Sequence, residues 1–333
     1  MKHLELLLPF AIPPLPLAQD LARELKVPAL SLLISRAKTL HTRQFEEFSR
    51  LLPHEALLSG GVTDTAARQD FSASSPADTR DKMQALGLTP AEGHWFTLSP
   101  MHIHIARDHL VLTDQRRLGI SEAEARALFA SAHTICEELG KTLLYGDAHT
   151  WFLRADDWAG MQTATPDAAC GHNIDIWMAK GGNELQWRKL QNEIQMQWFT
   201  DKVNNEREMQ GLKPVNSVWL WGGSSQVSQQ KNPYAANAQA DAAIAAGSGR
   251  ILLDALLEPA LNEDWGAWLD AMHALEAAWY APVATALQNG NLDRLTLSAT
   301  DAATLADFTT TPWSLRKFWI KPSFTPLISL ARP

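Results

Sequence analysis

One segment, residues 192–223, constrains the fold of this chain more than any other. Its sequence, NEIQMQWFTDKVNNEREMQGLKPVNSVWLWGG, predicts a long polar helix, a sharp stop and a short buried strand. Gly211 stands where a helix C-cap is expected, and Pro214 follows it. Gly222 and Gly223 end the strand, where the lack of a side chain lets backbone amides approach another group closely. Because open α/β sheets place ligands at strand ends, the segment predicts either a ligand site or a tightly packed helix–strand junction.

Amides are frequent in this segment, where a surface helix would more commonly carry Lys and Glu. Trp198, Phe199, Trp219 and Trp221 are close to them in sequence. We therefore expect some of the amides to be partly buried, which requires hydrogen-bonding partners or a ligand to offset their desolvation. The amides are Asn192, Gln195, Gln197, Asn204, Asn205, Gln210 and Asn216.

The composition argues against several classes of protein. A net charge of −8 without a basic block argues against a nucleic-acid binder. Cys136 and Cys170 are too few for a disulfide framework and fit no zinc motif, so we expect a reducing, cytoplasmic location. Glu5 and several prolines interrupt the apolar N-terminal stretch, which therefore does not read as a signal peptide. No stretch of about 18 uninterrupted apolar residues occurs, so we expect no membrane span and no membrane partner.

Strands alternate with helices over most of the chain, which favours an α/β fold with a mostly parallel sheet flanked by helices. The 333 residues allow two domains, and we place a core domain at 1–88 and 182–333. Its predicted strands lie at 3–8, 29–34, 217–221, 250–254 and 292–298. Its predicted helices lie at 17–25, 42–52, 78–86, 235–246 and 265–288, with a loop at 59–77 and an extended tail over the last 20 residues.

Residues 89–181 predict a smaller inserted α+β domain. Ser121 is expected to cap a helix, because acidic residues and then apolar residues at helical spacing follow it. A tight turn at Arg107-Asp108 is expected to join two strands of a meander. The predicted strands lie at 95–98, 101–106, 109–113, 142–145 and 151–154.

Two segments resemble a known family. Residues 103–128, IHIARDHLVLTDQRRLGISEAEARAL, and residues 200–224, TDKVNNEREMQGLKPVNSVWLWGGS, resemble patterns of the archaeal-type, bisphosphoglycerate-independent phosphoglycerate mutases. These enzymes have the alkaline-phosphatase fold. The run NEIQM…VN…RE…G…PVNS-W-WGG is similar to that of the bacterial RpfE-type regulatory proteins. The resemblance covers about 95–225 well and implies an alkaline-phosphatase-like fold for the whole chain.

The departures from the mutase pattern concern the metal ligands. Phosphatase-fold enzymes hold two divalent metals with Asp and His at strand ends. Here the first strand runs into LLLPFAIPP, with no carboxylate before Asp20, and the late Asp-x-x-Gly-His segment is missing. Asp301 stands in register with a mutase ligand, but Ala302 replaces the neighbouring His. The resemblance thus implies a pseudoenzyme without catalytic residues or cofactor.

Ten residues are the candidate ligand-binding set. The guanidinium groups at 107, 116 and 117 have the geometry to bind phosphate. Alternatively, they are turn residues that form ion pairs with Asp108, Asp114 or Glu122. The amide-rich cluster is either a pocket for a small polar ligand or a buried network that holds a helix to the sheet. The set is Arg107, Arg117, Asn192, Glu193, Gln195, Asn204, Arg207, Asn216, Trp219 and Trp221.

Two further motifs are weaker. His102 and His104 alternate on one strand and share a face, which makes them candidate metal ligands without an identifiable third ligand. Cys170 and His172 lack a group that would orient the base of a nucleophilic pair, so a buried structural cysteine is favoured.

Two functional hypotheses follow. The first is a non-catalytic phosphatase-fold protein with a regulatory role that binds a small anionic metabolite or a protein partner. The second is a working phosphoglycerate mutase or related metal-dependent phosphotransferase whose ligands have moved to other positions.

Overall fold

Helices and strands alternate in the computed structural model, which describes residues 1–60, 74–228, 232–236 and 238–332. The strands are β1 (His3–Leu8), β2 (Thr39–Gln44), β3 (Trp95–Met101), β4 (Ile103–Ala106), β5 (His109–Leu112), β6 (Thr142–Tyr145), β7 (Trp151–Arg154), β8 (Ser217–Ser224), β9 (Ser248–Leu252), β10 (Arg294–Thr300) and β11 (Thr304–Thr310). The α-helices are α1 (Ala18–Glu24), α2 (Pro28–Ser35), α3 (Pro53–Leu58), α4 (Thr79–Ala85), α5 (Glu122–Glu138), α6 (Pro166–Ala169), α7 (Glu184–Phe199), α8 (Lys202–Met209), α9 (Ala240–Ala246), α10 (Leu257–Leu261), α11 (Trp265–Leu275), α12 (Ala281–Gln288), α13 (Pro312–Leu315) and α14 (Thr325–Ile328). Among these described helices, none has both the length and the apolar character needed to cross a bilayer.

The described residues divide into two compact units. The described residues of the first unit are 1–47, 52–60, 232–236 and 238–332, and those of the second are 48–51 and 74–228. The predicted insert, 89–181, falls within the second unit, which is larger than expected because it also contains α4, α7, α8 and β8. The prediction that the strand at 217–221 belongs to the parallel sheet is wrong, because β8 pairs antiparallel with β3.

The first unit contains a five-stranded sheet in the order β2-β11-β10-β1-β9. β1 is parallel to both β9 and β10, while β11 runs antiparallel to β10 and β2 runs antiparallel to β11. Consequently only β11 points against the common direction of the sheet. Apolar side chains of β1, β10, α2, α11 and α12 form one buried cluster with the sheet. The predicted α/β fold with a mostly parallel sheet flanked by helices is confirmed.

Two predicted elements of the first unit have the wrong type. Residues 29–34 form helix α2 instead of a strand, because Pro28 occupies its first turn and the Glu276 carboxylate accepts from the N–H groups of Ala29 (2.6 Å) and Leu30 (3.1 Å). Part of the predicted helix at 42–52 is the edge strand β2, which β11 fixes through antiparallel pairing. β11 itself was not predicted.

The long predicted helix at 265–288 is confirmed, with one irregularity. α11 continues through a π-helical turn at Glu276–Tyr280 into α12. Pro282 lies just beyond that turn and cannot donate a backbone hydrogen bond, which accounts for the local widening of the helix. The predicted extended tail instead contains the short helices α13 and α14.

The second unit contains the antiparallel sheet β6-β7-β3-β8 and the hairpin β4-β5, so its predicted α+β character is confirmed. Ser121 caps α5 as expected: its hydroxyl accepts from the Glu124 N–H, and the Glu124 carboxylate accepts from the Ser121 N–H (2.8 Å). The predicted loop at 59–77 lies largely outside the described residues, since 61–73 are not among them.

Candidate functional site

The amide-rich segment folds as two helices and a strand. α7 ends at Phe199, and Asp201 begins α8 by accepting a hydrogen bond from the Val203 N–H (2.8 Å), so the predicted single helix is divided. Gly211 adopts φ +74°, and the Leu212 N–H returns to the carbonyl of Arg207 (2.9 Å), which is the expected glycine stop.

Asn204 is buried on α8, and its amide bonds are all internal. Its Nδ2 donates to the carbonyls of Trp198 and Val215, both at 2.9 Å, and its Oδ1 accepts from the Val215 N–H at 2.8 Å. The side chain therefore holds the strand entry to the end of α7 and has no hydrogen-bonding capacity directed at a ligand.

Arg207 lies one helical turn further along α8 and is fully buried. Its Nε donates to the Lys213 carbonyl (2.9 Å), one terminal nitrogen donates to Glu124 Oε1 (2.9 Å) and the other donates to the Leu118 carbonyl (2.5 Å). A buried guanidinium is tolerated because each of its edges has a partner. Arg207 thus joins α8, the capping residue of α5 and the turn before that helix.

Asn216 extends the pairing of β8 with β3 beyond the regular ladder. Its Oδ1 accepts from the Ile103 N–H and its Nδ2 donates to the Ile103 carbonyl, both at 2.8 Å, while its own N–H donates to the Met101 carbonyl (3.1 Å). The side-chain amide takes the place of a strand peptide, and it too is engaged within the protein.

Both tryptophans of β8 donate to internal acceptors. The indole N–H of Trp219 donates to the Ala164 carbonyl (2.8 Å), and that of Trp221 donates to Ser99 Oγ (3.1 Å). The Lys82 ammonium lies 3.6 Å from the ring centre of Trp221 and 2.6 Å from Asp78 Oδ1. Trp221 is half-buried, so its ring and the Lys82 ammonium that lies over it are partly accessible to solvent.

The predicted polar residues of α7 lie on its outer face. Asn192 and Gln195 are exposed, and Phe199, one helical turn further on, is 82% exposed. Glu193 is half-buried and pairs with Lys189 one turn earlier (3.7 Å). The expected shared face exists, but it is a solvent face that does not converge with Asn204 and Arg207.

The three arginines of residues 107–117 do not converge either. Arg107 is exposed and occupies the turn between β4 and β5 with φ +57°. Arg116 pairs with Asp114 (2.8 Å) and with Asp167 (2.7 Å), which favours the turn-pairing interpretation for this residue. Arg117 is exposed and also has an interaction partner within the protein.

His102 and His104 share a face as predicted. Their rings are stacked with centroids 5.9 Å apart. Nδ1 of His102 lies 2.8 Å from the Pro214 carbonyl, which requires a proton on that nitrogen, and Nδ1 of His104 lies 3.3 Å from Thr113 Oγ1. Burial lowers the pKa of both histidines, and the positive charge of Lys213 lowers it further. The pair is therefore neutral at neutral pH and lies beside a cation.

The glycine pair at the end of β8 permits close approach, but to protein atoms. The Gly222 N–H donates to Ser75 Oγ (2.8 Å), and its carbonyl accepts from Thr79 Oγ1 (2.5 Å). A Cβ on Gly222 would lie 2.8 Å from that threonine oxygen, and a Cβ on Gly223 would lie 2.5 Å from the Phe96 ring. The prediction that the backbone at these glycines approaches another group closely is confirmed. The groups that it approaches belong to the start of α4 and to strand β3.

Cys170 is buried, and burial raises the pKa of its thiol to about 12. The neighbouring His172 stacks on Trp177, with ring centres 5.1 Å apart. A thiol with this pKa is a poor nucleophile, which agrees with the structural interpretation of this cysteine.

In the first unit, apolar residues follow the carboxyl end of β1, at the edge where parallel sheets bind ligands. Phe10 adopts φ +56°, its N–H donates to Thr300 Oγ1 (3.3 Å), and its carbonyl accepts from the Trp268 indole (2.9 Å). Ala11 and Ile12 are buried. The chain after β1 is thus fixed by apolar packing and offers no carboxylate.

Asp301 follows β10 at the same edge and is engaged in a turn. Its Oδ1 accepts from the N–H groups of Ala303 (2.8 Å) and Thr304 (2.6 Å), which organises the connection to β11. Burial raises its pKa, and these two hydrogen bonds oppose that shift. The resemblance aligns this aspartate with a metal ligand. In this structure its carboxylate instead accepts hydrogen bonds from the backbone of the following turn.

A shallow cleft of about 390 Å³ lies beside α1, and its lining includes none of the predicted ligand residues. Its lining combines apolar side chains with the Arg23–Asp20 ion pair. The lining residues are Leu17, Asp20, Leu21, Arg23, Glu24 and Trp265.

The sequence analysis did not identify Gln191 of α7 as a buried polar residue. This side chain is buried, and its Nε2 donates to the Val218 carbonyl (2.8 Å) and to Ser217 Oγ (3.2 Å), joining α7 to β8. Its helical spacing from Trp187, Ile194 and Trp198 places it on the apolar face of α7, and this spacing could have identified it.

Comparisons with known proteins give similarity only at the level of solved structures. No family model matches the sequence, and no curated protein is significantly similar to it. A cofactor-independent phosphoglycerate mutase from Thermoplasma acidophilum is 14% identical, with 99% of this chain and 95% of that chain covered and a TM-score of 0.38. The PH0037 protein from Pyrococcus horikoshii is 9% identical, with 98% and 92% covered and a TM-score of 0.48. At these identities no residue role transfers to this chain.

Replacing Arg207 tests whether it is structural. We expect Arg207→Met to lower the free energy of unfolding by about 3 kcal/mol, because Glu124 and two carbonyls lose their partner. Urea denaturation measures this change. The matched substitution Arg188→Met, at an exposed position of α7, is expected to change stability by no more than about 0.5 kcal/mol. Equal stability of the two variants would contradict the structural role.

The histidine pair predicts a pH dependence of stability. Burial, opposed in part by the Pro214 hydrogen bond, lowers the pKa of His102 below its usual 6.5. The unfolded chain therefore binds the proton first, and stability is lost as the pH falls below about 6.5 towards the folded-state value.

Urea denaturation at about pH 7.5 and about pH 5.5 measures this loss. We expect it to be smaller in His102→Gln than in the unsubstituted chain. His149→Gln, at an exposed loop position, serves as the control and should retain the full loss. A His102→Gln variant with an unchanged loss would refute the assignment.

Proposed function

We propose that this chain is a non-catalytic relative of the phosphatase-fold enzymes, of the RpfE-type regulatory kind, and that it binds a small anionic metabolite. A regulatory role through a protein partner is the second form of the same proposal. The feature that supports it most is the carboxyl edge of β1 and β10. There the positions that would have to supply metal ligands hold Phe10, Ala11 and Ile12, and Asp301 serves a turn.

This edge bears on catalysis because phosphoryl transfer needs concentrated positive charge at the reacting group. In the related enzymes that charge comes from two metal ions held by carboxylates and imidazoles. A buried apolar chain after β1 and a turn-forming aspartate after β10 supply neither the charge nor the geometry for such ions. Binding without turnover is the activity that these residues favour.

The histidine pair of the second unit favours an anionic ligand. Lys213 and Arg207 both act on His102 with positive charge, and Lys213 also acts on His104. Lys213 and His104 are exposed, while Arg207 beneath them is committed to internal partners. A phosphate or carboxylate beside His104 and Lys213 would meet a positive potential without displacing a structural hydrogen bond.

One experiment tests binding and turnover on the same sample. We expect 3-phosphoglycerate or a related phosphorylated three-carbon acid to raise the melting temperature in the presence of a chelator. We expect no mutase or phosphatase turnover with added Mn²⁺ or Mg²⁺. The double variant His104→Ala/Lys213→Gln should lose the thermal shift, whereas Lys189→Gln, at an exposed position of α7, should keep it.

Three outcomes would each contradict a different part of the proposal. Turnover that the chelator abolishes would establish the phosphotransferase alternative. Absence of a thermal shift in the unsubstituted chain would refute binding of these anions, and a shift that survives in the double variant would refute the site at His104 and Lys213.

A further inference from the structure

Three large aromatic side chains are exposed together near the end of the chain. Trp313 is 75% exposed, Phe318 81% and Trp319 69%. We call residues 313–321 the aromatic loop. Single exposed apolar residues are common, but three large exposed rings within one short segment mark a surface that contacts something else.

The aromatic loop is held in place by hydrogen bonds to the end of α2. Arg36 donates from Nε to the Ile320 carbonyl (3.1 Å) and from a terminal nitrogen to the Leu315 carbonyl (2.7 Å). The Lys317 ammonium donates to the Ala37 carbonyl (3.0 Å). Since the backbone is fixed from beneath, the rings are presented to solvent in a defined arrangement. Less ordering is then required when they bind.

Two of the three rings contact each other, and the third contacts a cation. Phe318 and Trp319 meet edge to face, with centroids 5.1 Å apart and planes at 81°. The Arg316 guanidinium lies 4.2 Å from the ring centre of Trp313. Arg316 and Lys321 are themselves exposed. The loop therefore combines apolar rings with positive charge at its surface.

Charge around the loop differs from that of the whole chain. Residues 308–332 contain Arg316, Lys317, Lys321 and Arg332 and no Asp or Glu, although the net charge of the chain is −8. A locally basic, aromatic surface on an acidic protein is complementary to an anionic partner. Three kinds of partner carry such charge: nucleic acid, an acidic protein and an anionic membrane.

The size of the surface decides between these partners. Tight nucleic-acid binding uses roughly 6–10 phosphate contacts, more than the four cations of this region. A stable protein interface needs about 800 Å² from each partner, whereas three rings of this exposure offer roughly 450 Å². Insertion at a bilayer surface needs only a few amphipathic rings and nearby Lys or Arg.

We propose that the aromatic loop docks this protein peripherally on an anionic lipid surface. The three rings enter the headgroup region, and Arg316 and Lys321 pair with lipid phosphates. The expectation of no membrane partner rested on the lack of a spanning segment, and interfacial docking requires none. The proposal is independent of the anion site beside His104.

Sedimentation of the full chain with vesicles tests the proposal. We expect it to partition onto vesicles of phosphatidylglycerol and phosphatidylcholine, and about tenfold less onto phosphatidylcholine alone. Trp313→Ala/Phe318→Ala/Trp319→Ala should lower the partition coefficient at least about tenfold. The matched control Leu185→Ala/Met196→Ala/Phe199→Ala removes three equally exposed apolar side chains of α7 and should bind like the unsubstituted chain.

A second variant separates charge from apolar insertion. Arg316→Gln/Lys321→Gln, with all rings intact, should lose the preference for anionic vesicles and make the remaining binding insensitive to salt. All five positions are exposed, and circular dichroism confirms that the variants fold. Failure of the unsubstituted chain to sediment with anionic vesicles, equal partitioning of the ring variant and the α7 control, or tighter binding to a single-stranded oligonucleotide than to vesicles would each overturn the proposal.

Discussion

The arrangement of the second unit depends on the partners of one buried charge, the guanidinium of Arg207. This group has no solvent access. It donates hydrogen bonds to the Glu124 carboxylate and to the carbonyls of Leu118 and Lys213. A buried cation without these partners would be strongly destabilising, so the positions of the α5 cap, the turn before it and the turn after α8 are mutually constrained. Asn204 acts in the same way on the strand entry at Val215. The polar groups that make this segment conspicuous are therefore consumed in holding α7, α8 and β8 together.

This result moves the functional question away from the amide cluster. Polar groups whose hydrogen bonds are satisfied within the protein have little to offer a ligand. Lys213, the neutral His104 imidazole and the rings of the aromatic loop are exposed instead. In the first unit, the chain after β1 is fixed by apolar packing, with Ala11 and Ile12 buried.

Local patterns predicted local structure well. The cap at Ser121 was predictable because its partner Glu124 is three residues away, and the strands β6 and β7 because short apolar runs are bounded by turn residues. Elements that are fixed by partners distant in sequence could not be predicted from local patterns. The edge strand β2 depends on pairing with β11, and the N-terminus of α2 depends on the carboxylate of Glu276, far away in sequence.

The candidate site was predicted in composition but not in orientation, because Asn192 and Asn204 are the same residue type and only their helix faces distinguish a solvent amide from a buried one. The most direct test of the central claim, that Arg207 and Glu124 hold the second unit together, is a double-mutant cycle with Arg207→Met and Glu124→Gln, followed by urea denaturation. We predict a coupling free energy of about 1–2 kcal/mol, since the pair is partly shielded from solvent. Additive effects of the two substitutions would contradict the account.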